Sequence, residues 1–346
     1  MRRRIAMPAG QVAVLLPMLL LLLSGAHPNF ASKGQKSLNK LREQTGLAQR
    51  IAARDFPNAQ RPMSQEGIAS LKKICYFGER GDWQQVKRVF ATYGGRDIQV
   101  FSAVLNFALK SGQCVEGSRV YERLCSMEIP KHPPTYSVAM KIYKELGQMD
   151  VARQIWVEAR HAYELDAPLA SARIDVAASE GDVRTAAEIL DEMNQTGVEI
   201  GIVHMTGAMR ACWEAEGKHH NAAKHLWQVM LGLDLKPNIV AFACLVGAYN
   251  TAPLSDVLAA YEEMKQHGIE ANAPFAETYL ITVLQKPRLA EWSLDEMIST
   301  VFPNVTAKRL KAARGALYDF KAAGVKLSAM SARIDLALRK FQQPCG

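Results

Sequence analysis

The stretch LWQVMLGLDLKPNIVAFACLVGAYN (226–250) sets two apolar-patterned segments on either side of Leu235-Lys236-Pro237-Asn238, a connector that no helix passes through. The same stop occurs upstream in DEMNQTGVEIG (191–201) and downstream in EEMKQHGIEAN (262–272). A second set of breaks falls at Gly81 in ERGDWQQV, Gly112 in KSGQCVEG, Gly147 in ELGQMDVA, Gly181 in SEGDVRTA and Gly217 in AEGKHHNA, at intervals of 31, 35, 34 and 36 residues. A period in that range, with one turn inside each unit and another between units, is the mark of a helical-hairpin array. Each hairpin buries its apolar stripe only against its neighbours. The expected fold is therefore all-α, an α-solenoid of stacked antiparallel hairpins.

The unit 133–166 shows the plan. Tyr136, Ala139, Met140 and Tyr143 recur at helical spacing, Gly147 allows the reversal, and Val151, Ala152, Ile155, Trp156 and Ala159 form the second apolar face. Pro133 and Pro134 suit a first helical turn. Units 98–132, 167–201, 202–238 and 239–272 repeat the pattern through Phe101, Val104, Ala170, Ile174, Met205, Ala208, Trp227, Phe242 and Tyr261. A shorter unit at 67–97 fits through Trp83, Val86, Val89 and Phe90. Small residues such as Ala152, Ala186 and Ala223 fall where helices must approach closely, so these positions are core and not a cofactor box.

Charge is unevenly placed. Residues 1–55 carry nine Lys/Arg against Glu43 and Asp55, and residues 286–346 carry eleven against five acidic residues, which leaves 56–285 net acidic. That distribution excludes a uniformly basic nucleic-acid surface. The start, MRRRIAMPAGQVAVLLPMLLLLLSGAHP, has three arginines, an apolar run from Val12 to Leu23 and small residues at 24–26. It reads as a signal peptide over 1–26, the alternative being an uncleaved membrane anchor. The segment 27–64 that follows is basic and poor in acidic residues, as transit peptides are, or it is a flexible basic linker. With Phe30 close behind the cut, the pair is similar to the two-part leaders of algal plastids, so a plastid address is expected, with mitochondrion and secretory lumen behind it. The six cysteines make no CxxC pair, and five of them fall within helical segments, which fits buried thiols in a reduced compartment.

The run DEMNQTGVEIGIVHMTGAMRAC, with LKPNIVAFACLVGAY after it, resembles pentatricopeptide repeats, whose unit of about 35 residues ends in a Gly-Val/Ile-x-Pro-Asp/Asn connector. The resemblance covers roughly 67–272, six units. It departs at the short first unit, at two extra residues near Gly217, and at connectors that lack proline except for Pro237. Tetratricopeptide repeats are the nearest rival, but Met140, Ile174, Met209 and Val246 stand where that pattern wants a small residue. The resemblance implies a right-handed superhelix that binds single-stranded RNA, one nucleotide per unit, through the fifth residue of the unit and its last, with an apolar second residue against the base. Carried over, Thr206 pairs with Asn238 (adenine-like) and Ser137 with Asp166 (guanine-like), while Val203 and Val240 flank the base at Thr206. Ser102 with His132 and Ser171 with Gly201 keep half of the pattern, and Asn272 stands with Ala243. Each of these Ser, Thr, Asn and Asp residues also suits an ordinary helix cap.

Residues 273–346 match only in fragments such as LYDFKAAGVKLS (317–328) and are expected to form a degenerate repeat and a basic cap. There AKRLKAARG (307–315) either grips phosphates or forms the solvated face of a capping helix. His219, His220 and His225 lack partners at metal-ligand spacing, and no deaminase, P-loop or nucleophile-elbow signature occurs. The expected function is sequence-selective binding of organellar RNA without catalysis, cofactor or small-molecule substrate, and with protein partners allowed. The alternative is a protein-interaction scaffold on the same fold.

Overall fold

The computed structural model describes residues 62–285 and 291–341. The signal segment, nearly all of the transit-like segment and Cys345 lie outside the described residues. Fifteen longer helices follow in order: α1 Gln65–Glu79, α2 Trp83–Thr92, α3 Ile98–Lys110, α4 Cys114–Ser126, α5 Pro133–Glu145, α6 Met149–Ala162, α7 Ala167–Glu180, α8 Val183–Thr196, α9 Ile202–Glu214, α10 His220–Gly232, α11 Ile239–Ala248, α12 Leu254–Gln266, α13 Ala273–Leu284, α14 Ala307–Ala322 and α15 Ala329–Lys340. Between α13 and α14 a short turn Leu294–Glu296 runs into a π-helical stretch Met297–Val301 and a 3-10 turn Phe302–Asn304. No described residue lies in a strand, and none of these helices is long and apolar enough to cross a membrane. The fold is an all-α helical-repeat solenoid.

Two kinds of turn build the hairpins, and most turns of each kind use a left-handed residue. Inside the hairpins, Gly81, Gly112, Gly147, Gly181 and Gly217 have φ between 64° and 101°, a region closed to most side chains. Between hairpins, the left-handed place is held by Glu128 (φ 49°), Gly197 (75°), Asp234 (56°), Gly268 (67°) and Gly324 (72°). After each of these the next N–H reaches back to a carbonyl five residues earlier: Ile129 to Leu124, Val198 to Met193, Leu235 to Met230, Ile269 to Met264 and Val325 to Phe320. This is the Schellman closure, with the apolar residue after the turn pinned onto the end of the helix.

The chain divides into two compact units. The first comprises described residues 62–179 with 188–200. Here α1, α3 and α5 pack side by side, and α2, α4 and α6 pair with them as hairpin partners. Phe101 is fully buried, with its ring edge-on to Phe90 at 5.2 Å and to Tyr93 at 6.3 Å. The start of the stack is fastened at Asp97, whose carboxylate accepts from the Ser64 hydroxyl (2.6 Å), the Ser64 N–H (3.1 Å) and the Tyr93 hydroxyl (2.7 Å). Val151, Trp156 and Val89 are only half-buried, because each lies at the margin of its helix's inner stripe.

The second unit comprises described residues 180–187 with 201–341. α9, α11 and α13 form its inner row, and α10 and α12 back it. The Trp227 ring lies tilted against Phe242 at 4.6 Å and donates its indole N–H to Glu263 at 3.0 Å, which ties α10 to α11 and α12. α11 approaches α9 so closely that a Cβ on Gly247 would lie 2.3 Å from the Trp213 ring. α13 and α14 pack together and continue the plan as a further hairpin. α14 ends in the same left-handed turn at Gly324 as its predecessors, and α15 starts beyond it. α15 packs on α13, on α14 and on the Leu294–Val301 segment, with Phe341 edge-on to Phe302 at 5.6 Å.

Candidate nucleic-acid interface

The odd-numbered helices α3, α5, α7, α9, α11 and α13 start at residues 98, 133, 167, 202, 239 and 273. The fifth residues of these helices are therefore Ser102, Ser137, Ser171, Thr206, Ala243 and Glu277, and the residues just before them are the connector ends. Four connector ends do the same structural job. The side-chain oxygens of Asp166, Asn238 and Asn272 accept from Leu169 N–H (2.8 Å), Ala241 N–H (2.9 Å) and Phe275 N–H (2.9 Å), and Ser328 accepts from Ser331 N–H (3.1 Å). Each is an N-cap, which is why short polar residues recur at this place. His132 and Gly201 cap without such a bond; at Gly201 the His204 ring accepts from the backbone N–H instead, at 3.0 Å.

Capping does not exhaust these side chains. Asn238 is exposed and uses only Oδ1, so its Nδ2 keeps both hydrogens for a ligand. Thr206, half-buried one turn into α9, donates its hydroxyl hydrogen to the carbonyls of Ile202 (2.9 Å) and Val203 (3.0 Å), which leaves the oxygen's lone pairs as acceptors. α9 and α11 are parallel neighbours, so an acceptor on one stands at the same end of the row as a donor on the other. At the second positions of the same two helices, Val203 is 62% and Val240 57% exposed. Two bare valines in register on adjacent helices are apolar surface held out of the core.

In the α13 hairpin a fifth and a last position meet. The Ser328 hydroxyl donates to the Glu277 carboxylate, joining the fifth residue of α13 to the residue before α15. Sequence reading passed over this pair because the interposed residues 285–306 break the period. The available signal was the connector AAGVKLS (322–328), which repeats the form of QHGIEAN (266–272).

The first unit treats its fifth positions differently. Ser137 is only 5% exposed and donates to the Pro133 carbonyl at 3.0 Å, so little of it faces outward. Ser102 is half-buried and shares a 2.7 Å hydrogen bond with Thr135 on the next inner helix. Ser171 is half-buried on α7, and Asn272 is exposed at the head of α13.

The basic run at 307–315 is partly committed to the fold. Arg309 donates to the carbonyls of Val283 (2.7 Å) and Thr282 (3.4 Å) at the end of α13, and Arg314 to those of Leu338 (3.1 Å) and Phe341 (3.0 Å) at the end of α15. Cations suit helix C-termini. Lys308 and Lys311 remain exposed. His219 holds the Glu216 carbonyl at 2.7 Å and His220 the Thr251 hydroxyl at 3.1 Å; no group of metal-ligating side chains occurs among the described residues. Of the cysteines, Cys114, Cys212 and Cys244 are buried and Cys75 half-buried. Cys125 differs from expectation: it lies in the last turn of α4 and is exposed. Burial pushes the Cys212 thiol up to about 12 and that of Cys244 to about 11.

No protein-family model and no curated protein matches the chain. Among solved structures it is similar to the pentatricopeptide repeat protein PPR10 in complex with an 18-nt psaJ RNA element, at 16% identity and a TM-score of 0.45, over 94% of this chain and 50% of that one. It is likewise similar to PPR10 from maize, at 17% identity and a TM-score of 0.43, over 94% of this chain and 56% of that one. The chain thus spans about half the length of the pentatricopeptide repeat structures to which it is similar.

Proposed function

We propose that the chain binds single-stranded RNA, one nucleotide per hairpin, and that it acts on organellar transcripts by occupying them, so altering their stability, processing or translation without catalysis. The observation that carries this reading is the constellation on α9 and α11. Val203 and Val240 stand exposed in register, the Thr206 oxygen is an acceptor, and the Asn238 amide is a donor. A base lying between the two valines would bury their apolar surface. Turned to one base, that acceptor and that donor would complement the N6 amine and N1 of adenine, and adenine is the base that the sequence resemblance implies at this pair. Base-edge reading of this kind needs no net positive surface, which accords with the acidic balance of residues 56–285. Residues 1–64 would supply a plastid address, testable by fusing them to a fluorescent protein.

The same acidic balance favours the second reading, a helical scaffold for protein partners. Selection from a pool of short random RNAs separates the two. Enrichment of a purine-containing core whose letter changes with Thr206→Asn supports base reading. Equal, salt-sensitive retention of every sequence, or retention of none, overturns it in favour of the scaffold.

A further inference from the structure

We propose that the head of α13, with Ser328 before α15, forms a further nucleotide site, in which the Glu277 carboxylate selects guanine. The proposal rests on the RNA reading above and extends it to a hairpin that the expected 67–272 array leaves out. Register supports the assignment. α13 begins at Ala273 as α9 begins at Ile202, so Glu277 holds the place of Thr206. Ser328 follows the left-handed Gly324 by four residues and caps α15, as Asn238 follows Asp234 by four and caps α11. Pro274, exposed, holds the place of the exposed Val203 and Val240.

The hydrogen bonding then decides the letter. Ser328 Oγ accepts the Ser331 N–H, lies 3.2 Å from the Ser331 hydroxyl, and sends its single hydrogen to Glu277 Oε2, the charged and stronger acceptor. The pair therefore presents a fixed carboxylate and no donor. Along their Watson–Crick edges adenine and cytosine each set a ring-nitrogen acceptor beside their amine, and uracil sets carbonyls on both sides of N3–H. Each of them would turn a lone pair toward one carboxylate oxygen. Guanine alone offers two adjacent donors, N1–H and the N2 amine, which match the two oxygens of one carboxylate. Both bonds are charge-assisted. The Ser328 contact holds the carboxylate in place for them, which makes Ser328 a positioning residue.

The test is selection from a randomised single-stranded RNA pool with the wild-type chain, Thr206→Asn and Glu277→Gln, followed by affinity measurement on the winning sequence. With one nucleotide per hairpin, the guanine should lie two positions from the letter that Thr206→Asn alters. Glu277→Gln should abolish the guanine preference, leave the Thr206 letter untouched and leave the far-UV circular dichroism unchanged. Replacing that guanine by inosine, which lacks the N2 amine, should weaken wild-type binding about tenfold, the scale of one good bidentate contact, and should leave Glu277→Gln binding unaffected. A Thr206-dependent letter with no guanine two positions away, or a guanine that persists in Glu277→Gln, overturns this site while the RNA reading stands. A guanine that depends on Glu277 without any response at Thr206 supports this site and removes the Thr206 assignment. Failure of the wild-type chain to enrich any sequence overturns both.

Discussion

Changing Gly247 and Gly315 to alanine should have opposite effects, although both lie inside helices. In α11 a Cβ on Gly247 would meet the Trp213 ring at 2.3, 2.6 and 2.7 Å, against an optimal carbon separation of about 3.5–4.0 Å. The indole, half-buried on α9, must retreat by about 1 Å or α9 and α11 must part, an overpacking cost of about 1–3 kcal/mol. Alanine's helix propensity offsets about 1 kcal/mol of that. The net expectation for Gly247→Ala is a loss of about 0–2 kcal/mol. A Cβ on Gly315 in α14 would touch nothing within 4 Å, so Gly315→Ala should gain about 0.5–1 kcal/mol from the unfolded chain's reduced freedom. The two urea midpoints, followed by circular dichroism, should differ by about 1 M for a slope of about 1–3 kcal/mol per M. Because α9 and α11 carry Thr206 and Asn238, Gly247→Ala should also weaken RNA binding, and Gly315→Ala should not. Equal shifts in the same direction would refute the packing of Trp213 on Gly247 and, with it, the close spacing of the two helices that frame the proposed site.

Further outcomes can be checked alongside. Glu128→Gly should raise stability, read from the urea midpoint, by a few tenths of a kcal/mol, since glutamate bears a left-handed φ of 49°, whereas Gly268→Ala at φ 67° should lower stability by about 1 kcal/mol. Asn238→Ala should lose about 1 kcal/mol of helix stability with its cap to Ala241 and should reduce RNA affinity as well, read by thermal melts and fluorescence anisotropy. In a Cys345→Ser background, Ellman's reagent should label the exposed Cys125 in the native chain and reach Cys114, Cys212 and Cys244 only on unfolding. The Cys212 pKa is raised by burial from an ordinary 9.0 to about 12. Its contribution to stability is therefore complete below about pH 9 and falls as pH rises toward 12, because the unfolded chain sheds a proton that the folded chain keeps. Urea midpoints of the wild type should fall over that interval more steeply than those of Cys212→Ala.

The hairpins were legible because their turns leave marks on composition. A left-handed φ excludes nearly every residue but glycine, so Gly81, Gly112 and Gly147 announce the reversals. Where Glu128 and Asp234 hold the same conformation, the mark is missing, and only the Schellman bonds reveal that the turns are alike. Position within a repeat was legible, but cover was not. Ser137 and Thr206 are both fifth residues, yet Ser137 is almost enclosed by its neighbours, a property of packing that spacing does not encode. The α13–α14 hairpin was hidden because residues 285–306 stretch its period, although its closing connector is ordinary. The basic run at 307–315 looked uniform in sequence, and only the packing separates Arg309 and Arg314, which hold helix ends, from Lys308 and Lys311, which face water.

At four helix heads one short side chain does the capping: Asp166, Asn238, Asn272 and Ser328 each lock the first turn with one oxygen. Aspartate, asparagine and serine hold that lock about equally well. Exchanging one for another thus leaves the scaffold standing while it alters the hydrogen-bonding groups left over at the helix head. If the chain reads RNA as proposed, its letters can drift one at a time, unhindered by any demand of folding, and a designer could rewrite them along the same route.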